Sequence, residues 1–134
     1  MACVGDAYTV LLKETHLMWG TYRNTYSRNR IYGEGYIKIP AIEARRIGMY
    51  NSNNVKVGIG FNEFRFKTSD GFLSGILKSS GCSQAGDIYA KNLHVSGDLK
   101  GLGQWFAHVN AIPGDSIEVR FVSPIDIVLT HLPQ

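Results

Sequence analysis

Arginine and asparagine residues cluster between residues 21 and 30, in a stretch that does not have the composition of a protein core: Arg23, Asn24, Arg28, Asn29 and Arg30. An arginine side chain can donate two parallel hydrogen bonds to a guanine edge, and asparagine can pair in the same way with adenine. The same side chains commonly contact phosphate or remain solvated. The stretch therefore predicts a surface for a nucleic acid, and a solvated basic loop is the alternative.

Tyrosines are interleaved with these polar residues at Tyr22, Tyr26 and Tyr32. Tyrosine hydroxyls can hold phosphates and so set the position of a protein on a duplex. A tyrosine can also cover the end of a core, because it buries its ring and leaves its hydroxyl in water. We favour the second interpretation for Tyr36, which stands within a predicted strand, and keep both open for Tyr26 and Tyr32.

Positive charge is concentrated in the same part of the chain. Six basic and two acidic residues lie between Trp19 and Arg46, a local excess of +4 in a chain whose net charge is +3. The remainder is therefore close to neutral. A basic segment in an otherwise neutral domain is typical of a surface that attracts a polyanion.

Short strands are the main elements that could position these residues. Alternating or β-branched patterns predict strands at 7–13, 35–40 and 55–61. A hairpin is predicted across 63–78, where Ser69-Asp70-Gly71 supplies the turn. Further strands are predicted at 87–95, 115–122 and 126–132, which makes about eight in all.

Two segments have helical patterns instead. Residues 40–48 begin with a proline and end with a glycine, which favours a short helix. Residues 98–115 place Asp98 as an N-cap and apolar residues at helical spacing, and we assign Trp105 and Phe106 there to the core. The chain 1–134 is thus expected to form a single, mainly β domain with two short α-helices and a barrel-like core.

Several functional classes find little support in the sequence. No apolar run reaches the length of a membrane span and no signal sequence is evident, so we expect a soluble, cytoplasmic protein. Cys3 and Cys82 lack metal-ligand spacing and are expected to be free thiols. His94 and His108 have no partners at such spacing either, so we expect no metal and no cofactor.

A catalytic centre is also not evident. The strings nearest to a metal-dependent nuclease pattern are "GDSIEVR" and "SPIDIVL". The first ends in Arg120 where a lysine is needed, and Asp115 is explained as a turn residue. No phosphate-binding glycine loop or nucleophile constellation is present. We therefore expect a binding domain and not an enzyme.

Two blocks of the chain resemble the B3 family of DNA-binding pseudobarrels. The first is "YIKIPAIEARRIG", a strand that ends in proline and leads into a helix, and the second is "GLGQWFAHVNAIPGDSIEV". Among family branches, the recognition domains of bacterial restriction endonucleases are the closer likeness, since the tyrosine-rich stretch and "SGCSQAGDIYAKNLHVSG" differ from plant members. The resemblance implies a B3-like open pseudobarrel of seven to eight strands.

The resemblance also implies two arms that grip the DNA major groove. Residues 20–34 look like the first arm and residues 78–94 like the second. The second arm would supply base-reading side chains at Gln84, Lys91, Asn92 and His94, and hydroxyls for phosphates at Ser79, Ser80, Ser83 and Tyr89. Arg45 and Arg46 on the predicted short helix would strengthen the positive electrostatic field of this surface.

The function implied is sequence-specific binding of double-stranded DNA, as the recognition domain of a bacterial restriction endonuclease whose nuclease domain or subunit lies elsewhere. Three alternatives remain open. Trp19 and Tyr22 could wall the pocket of a modified-base reader. A transcription regulator of the swapped-hairpin type would bind as a dimer, and an RNA-binding barrel would stack single strands on its tyrosines.

Overall fold

The computed structural model describes residues 1–13, 35–82 and 84–134, which form seven strands and two helices. The first elements are β1 (Ala7–Leu11), β2 (Ile37–Lys38) and helix α1 (Ala41–Ile47). They are followed by β3 (Glu63–Thr68), β4 (Ser74–Ser80), β5 (Asn92–Val95), helix α2 (Gly101–His108), β6 (Ser116–Ser123) and β7 (Asp126–Leu132). The prediction of a mainly β fold with two short helices is confirmed.

The seven strands form one sheet in the order β1-β6-β7-β3-β4-β5-β2. The β3–β7 pair is parallel and the other pairs are antiparallel. The sheet curls into a nearly closed barrel whose edge strands are β1 and β2. The Tyr8 hydroxyl on β1 donates to the Lys38 carbonyl on β2 at 3.4 Å. We call the gap between these edge strands the seam.

Alternation along the strands builds the barrel core. Phe64 and Phe66 of β3 are buried while their neighbours Arg65 and Lys67 are exposed. Phe64 meets Phe121 of β6 edge to face, with ring centroids 5.4 Å apart. Because every strand contributes buried apolar residues to one cluster, the sheet has a single inner face.

Helix α1 confirms the prediction made from its flanking residues. The Pro40 carbonyl accepts from the backbone N–H groups of Glu43 and Ala44, each at 3.0 Å. Gly48 ends the helix with a φ of 87°, a left-handed conformation that glycine adopts without strain. Ala44 and Ile47 face the core, so the opposite side of the helix is solvated.

Helix α2 is shorter than predicted and begins after Lys100, so the assignment of Asp98 as its N-cap is wrong. The Asp98 carboxylate instead accepts from the Lys100 N–H at 3.1 Å, and Asp98 lies two residues before the N-cap position, Lys100. Trp105 and Phe106 are buried, as expected. A Cβ built on Gly35, just before β2, would lie 3.0 Å from the Gly103 nitrogen, so absent side chains let the helix pack closely there.

The strand predicted at 55–61 is wrong. These residues form turns, with an isolated bridge between Ile59 and Glu63. Val55 is 99% exposed, and the Asn62 side chain accepts from the Gly58 N–H at 2.5 Å to close the turn. The alternating valines suggested a strand, but among the described residues this segment has only the single bridge to Glu63 and no paired strand. The described residues contain seven strands, whereas the sequence predicted about eight.

Other strand predictions were right in type and too long. The strand predicted at 87–95 is restricted to Asn92–Val95, preceded by a single bridge between Tyr50 and Tyr89. Strands predicted at 7–13 and 35–40 end at Leu11 and Lys38. Cys3 and Cys82 are free thiols, as predicted, and both are exposed. Within the described residues no helix is long and apolar enough to cross a membrane.

Candidate nucleic-acid interface

A groove of about 780 Å³ lies along the seam of the barrel. The edge strand β1, the end of β2, the start of α1 and residues 84–91 form its walls. The groove exists because the two edge strands do not pair with each other in the sheet. It is therefore a consequence of incomplete barrel closure.

The charged side chains that line the groove are mostly basic. Four described cationic residues, Lys13, Lys38, Arg45 and Lys91, stand against one acidic residue, Asp87. All four cations are exposed. They come from the segment after β1, from β2, from α1 and from the segment before β5, so separate parts of the sequence build one positive surface. Such a cleft attracts a polyanion and concentrates it near the wall.

Arg45 is held at the groove by an aromatic stack. Its guanidinium carbon lies 5.8 Å from the centre of the Tyr89 ring, within the range of a cation–π contact. Tyr89 in turn stacks on Tyr50, with ring centroids 5.5 Å apart. The stack positions the Arg45 charge over an aromatic surface, and no described carboxylate forms a salt bridge with it.

Arg46, the next residue along α1, has a different environment. It forms a bidentate pair with Glu43, at 3.1 and 2.9 Å, and also donates to the Ala7 carbonyl at 2.9 Å. Asp6 lies 3.5 Å away. The hydrogen bond from Arg46 lowers the pKa of Glu43, since it stabilises the carboxylate. Of the two arginines predicted to strengthen the field, only Arg45 lines the groove.

A row of polar side chains continues from the groove across the outer face of the sheet. On β5, Leu93 and Val95 point into the core, so Asn92 and His94 lie on the outer face. Asn92 is opposite Lys38 of β2 on one side and Ser80 of β4 on the other. The Ser80 hydroxyl lies 3.4 Å from Nδ1 of His94.

Ser79 requires a correction. Its side chain is fully buried, and its hydroxyl donates to the Tyr50 carbonyl at 2.6 Å. The residue faces inward because it alternates with Ser80 along β4. Ser79 thus ties β4 to the segment after α1 and is not placed to contact a phosphate.

The structure brings several other predicted second-arm residues together. Gln84, Tyr89 and Lys91 line the groove, while Ser80, Asn92 and His94 form the outer row beside it. The predicted residues of the first arm, and Ser83 of the second, lie outside the described residues: Arg23, Asn24, Tyr26, Arg28, Asn29, Arg30, Tyr32 and Ser83.

Some residues of the groove were not named as site residues from the sequence. Lys38 had a usable signal, because it alternates with buried Ile37 and Ile39 and must therefore point outward. No sequence pattern indicated Lys13 or Asp87, since their place in the groove depends on how distant segments meet.

Two tyrosines near the seam have hydroxyl groups whose pKa is raised by burial. Burial raises the pKa of Tyr8 far above its usual value, and the nearby Glu43 carboxylate adds to the effect. Burial also raises the pKa of Tyr36, which is half-buried just before β2. Half-burial fits the interpretation of Tyr36 as a residue that covers the barrel end.

The carboxylates in the two nuclease-like strings have structural partners. Asp115 accepts from His131 at 2.8 Å and from the Gln134 N–H at 3.0 Å, and these bonds lower its pKa. Asp126 accepts from Arg65 at 2.7 Å and from the Ser123 hydroxyl at 2.6 Å. Among the residues described here, no three His, Cys, Asp or Glu side chains are grouped closely enough to hold a metal ion.

Comparison with solved structures identifies the fold. The chain superimposes on the protein of the Arabidopsis FUS3–DNA complex with a TM-score of 0.50 over 93% of this chain and 94% of that one, at 13% sequence identity. The architecture is that of a B3-like pseudobarrel. Comparison of the sequence with protein-family models gave no match. Comparison with curated proteins gave none either.

Proposed function

We propose that this protein binds double-stranded DNA through the seam groove and the arm beside it. The observation that carries the proposal is the cationic groove on a B3-like pseudobarrel, lined by four basic residues and by residues of the predicted second arm. The structural relative was solved as a complex with DNA. A basic, aromatic-supported cleft has the chemistry that a phosphate backbone requires.

The mechanism begins with electrostatic capture. Lys38, Arg45 and Lys91 are exposed and can displace counterions from phosphates, a step that does not depend on base sequence. Side chains of the two arms would then contact base edges in the major groove. Gln84 at the groove can pair with adenine, and the arginines between residues 23 and 30 can pair with guanine.

The finer proposal is that the chain serves as the recognition domain of a bacterial restriction endonuclease in the cytoplasm. Its support is the sequence resemblance in the "YIKIPAIEARRIG" and "GLGQWFAHVNAIPGDSIEV" blocks. A nuclease domain or subunit would cut after this domain had captured its site. The role proposed for this chain is recognition, and the cleavage chemistry is assigned to that partner.

A selection from a randomised duplex library, at about physiological salt, tests DNA recognition. We expect a short shared motif among the enriched duplexes. Competition with single-stranded DNA and RNA of the same sequence should leave duplex binding largely intact. Enrichment without a motif would contradict sequence-specific readout, and stronger competition by RNA would favour the RNA-binding barrel.

Incubation of the selected duplex with the purified chain and Mg²⁺ tests whether recognition and cleavage belong to different domains or subunits. We expect the duplex to remain full length, because the carboxylates of the two nuclease-like strings are engaged by Arg65, His131 and backbone groups. A commercial restriction enzyme with its own site added to the duplex is the positive control. Nuclease activity that co-elutes with the chain during chromatography would contradict the proposal.

A further inference from the structure

Asn51 lies between α1 and β3 with only 4% of its surface exposed. Its side-chain amide donates to the carbonyl oxygens of Gly81 at 2.9 Å and Asp87 at 2.7 Å, with a longer contact to Tyr89 at 3.3 Å. Its Oδ1 accepts from the Asn53 N–H at 2.9 Å. Both the donor and the acceptor ends of the side chain are therefore in use.

The two shortest bonds reach opposite ends of the tip of the predicted second arm. Gly81 is where the chain leaves β4, and Asp87 is where it returns toward β5. An asparagine amide has two N–H donors, and here each can hold one end of the tip. Asn51 thus joins the two ends of the loop through two side-chain hydrogen bonds.

Neighbouring bonds reinforce the same attachment. The Asn51 backbone N–H donates to the Ile88 carbonyl at 2.9 Å. The Asn53 side chain donates to the Asp87 carbonyl at 3.0 Å, so that carbonyl receives two amide donors. The arm is held from the segment that follows α1 as well as by its own strands.

The position of this arm determines where its side chains meet the groove. Gln84 precedes the Asp87 attachment and Tyr89 and Lys91 follow it, and all three line the groove. Base readout by hydrogen bonds depends on donor and acceptor positions to a fraction of an ångström. Phosphate contacts by long basic side chains tolerate much larger displacements.

We infer that Asn51 is a positioning residue for base recognition, which sets the second arm against the major groove without touching DNA itself. The inference rests on the proposed DNA-binding function. Asn51 is buried and remote in sequence from the arm. It should affect specificity for the selected duplex more than it affects affinity for duplex DNA in general.

Asn51→Asp tests the inference, because aspartate keeps the size and the Oδ1 acceptor and removes both N–H donors. We expect the ratio of affinities for the selected duplex and for random duplex to fall by about tenfold, the discrimination of one base-reading pair. Amide hydrogen exchange in residues 84–91 should accelerate in the same variant.

Asn54→Asp is the matched control. It introduces the same negative charge three residues away, and its amide donates to the Lys56 carbonyl at 2.8 Å within its own loop. General repulsion of DNA by the new charge should weaken both duplexes alike in the two variants. The affinity ratio should therefore stay at the wild-type value in Asn54→Asp.

A milder variant covers the case in which Asn51→Asp does not fold. Asn53 is exposed and donates to the same Asp87 carbonyl, so Asn53→Ala should lower the ratio in the same direction and by a smaller factor. An unchanged ratio in folded Asn51→Asp overturns the inference, as does an unchanged ratio in Asn53→Ala where only that variant folds. Wild-type protein that binds no duplex overturns the proposed function and the inference together, whereas specific wild-type binding with unaffected variants overturns the inference alone.

Discussion

At the scale of single residues, two adjacent arginines show how side-chain environment separates similar charges. Arg45 stacks on Tyr89 at the groove, and Arg46 is engaged by Glu43 and the Ala7 carbonyl. An arginine already committed to a carboxylate offers little to an incoming phosphate. The pair is a natural test of whether groove position, and not net charge, determines DNA affinity.

We expect Arg45→Ala to weaken binding to cognate and random duplex alike, by about tenfold, the loss of one charge-assisted hydrogen bond. The slope of log affinity against log salt should fall by about 1. Arg46→Ala removes the same formal charge and should leave the slope nearly unchanged. Salt titrations by fluorescence anisotropy measure both, and equal losses in the two variants would show that only total charge matters.

Asp70 provides a prediction about acid stability. Its carboxylate accepts from the Thr68 hydroxyl, the Phe72 N–H and the Trp105 indole N–H, at 2.6, 3.0 and 3.0 Å. The Thr68 bond, followed by the Phe72 bond, lowers its pKa from 3.8 to about 2. Because the folded pKa is depressed, the stabilisation is complete above pH 3.8 and is lost as pH falls toward 2.

Asp70→Asn should therefore reduce the dependence of stability on pH between 3.8 and 2, while lowering stability at neutral pH. Chemical unfolding at several pH values, followed by tryptophan fluorescence, measures this dependence. A Trp19→Phe background leaves Trp105 as the single tryptophan reporter, since the chain has two. A variant with the wild-type slope across this window would contradict the assignment.

At the scale of elements, α2 shows that its glycines are packing features. A Cβ at Gly101 would lie 2.8 Å from Cγ2 of Val95 on β5, closer than carbon atoms approach without displacement. From the sequence, Gly101 and Gly103 argue only against helix formation, by about 1 kcal/mol each. The tertiary structure accounts for them, because the helix must come close to β5 and to the segment before β2.

We expect Gly101→Ala to destabilise the fold by about 1 to 2 kcal/mol, because overpacking outweighs the gain in helix propensity. Denaturant unfolding measures the change. Val95→Ala removes Cγ2, the atom closest to the added Cβ, so the double variant should be more stable than the sum of the two single changes predicts. Simple additivity in this double-mutant cycle would show that the clash does not govern the effect.

At the scale of the whole molecule, barrel closure and charge distribution are connected. The sheet begins with β1 and ends with β2, which leaves a seam where basic residues from four segments face one groove. The net charge of +3 is modest, and its effect depends on this concentration. The same seam is bordered by the predicted second arm, so the surfaces proposed for electrostatic capture and for base readout lie side by side.

The sequence by itself determined the class of fold, because alternation reports which side of a strand is buried. It located the hairpin of β3 and β4, the strands β6 and β7, helix α1 with its proline and glycine ends, and the buried Trp105. It also indicated a basic segment and the types of side chain that suit a nucleic acid. These features are local, so nearby residues suffice to specify them.

Tertiary structure alone decided which of these residues meet. Alternation at 55–61 predicted a strand, but within the described residues this segment pairs with no strand beyond one isolated bridge. Ser79 and Ser80 are equivalent in type but face opposite sides of β4. The groove joins β1 to residues about eighty positions later, and Asn51 reaches Gly81 and Asp87 across 30 and 36 positions. Strand order and sheet curvature set these distances, and no short window of sequence contains them, because they arise from pairing between remote segments.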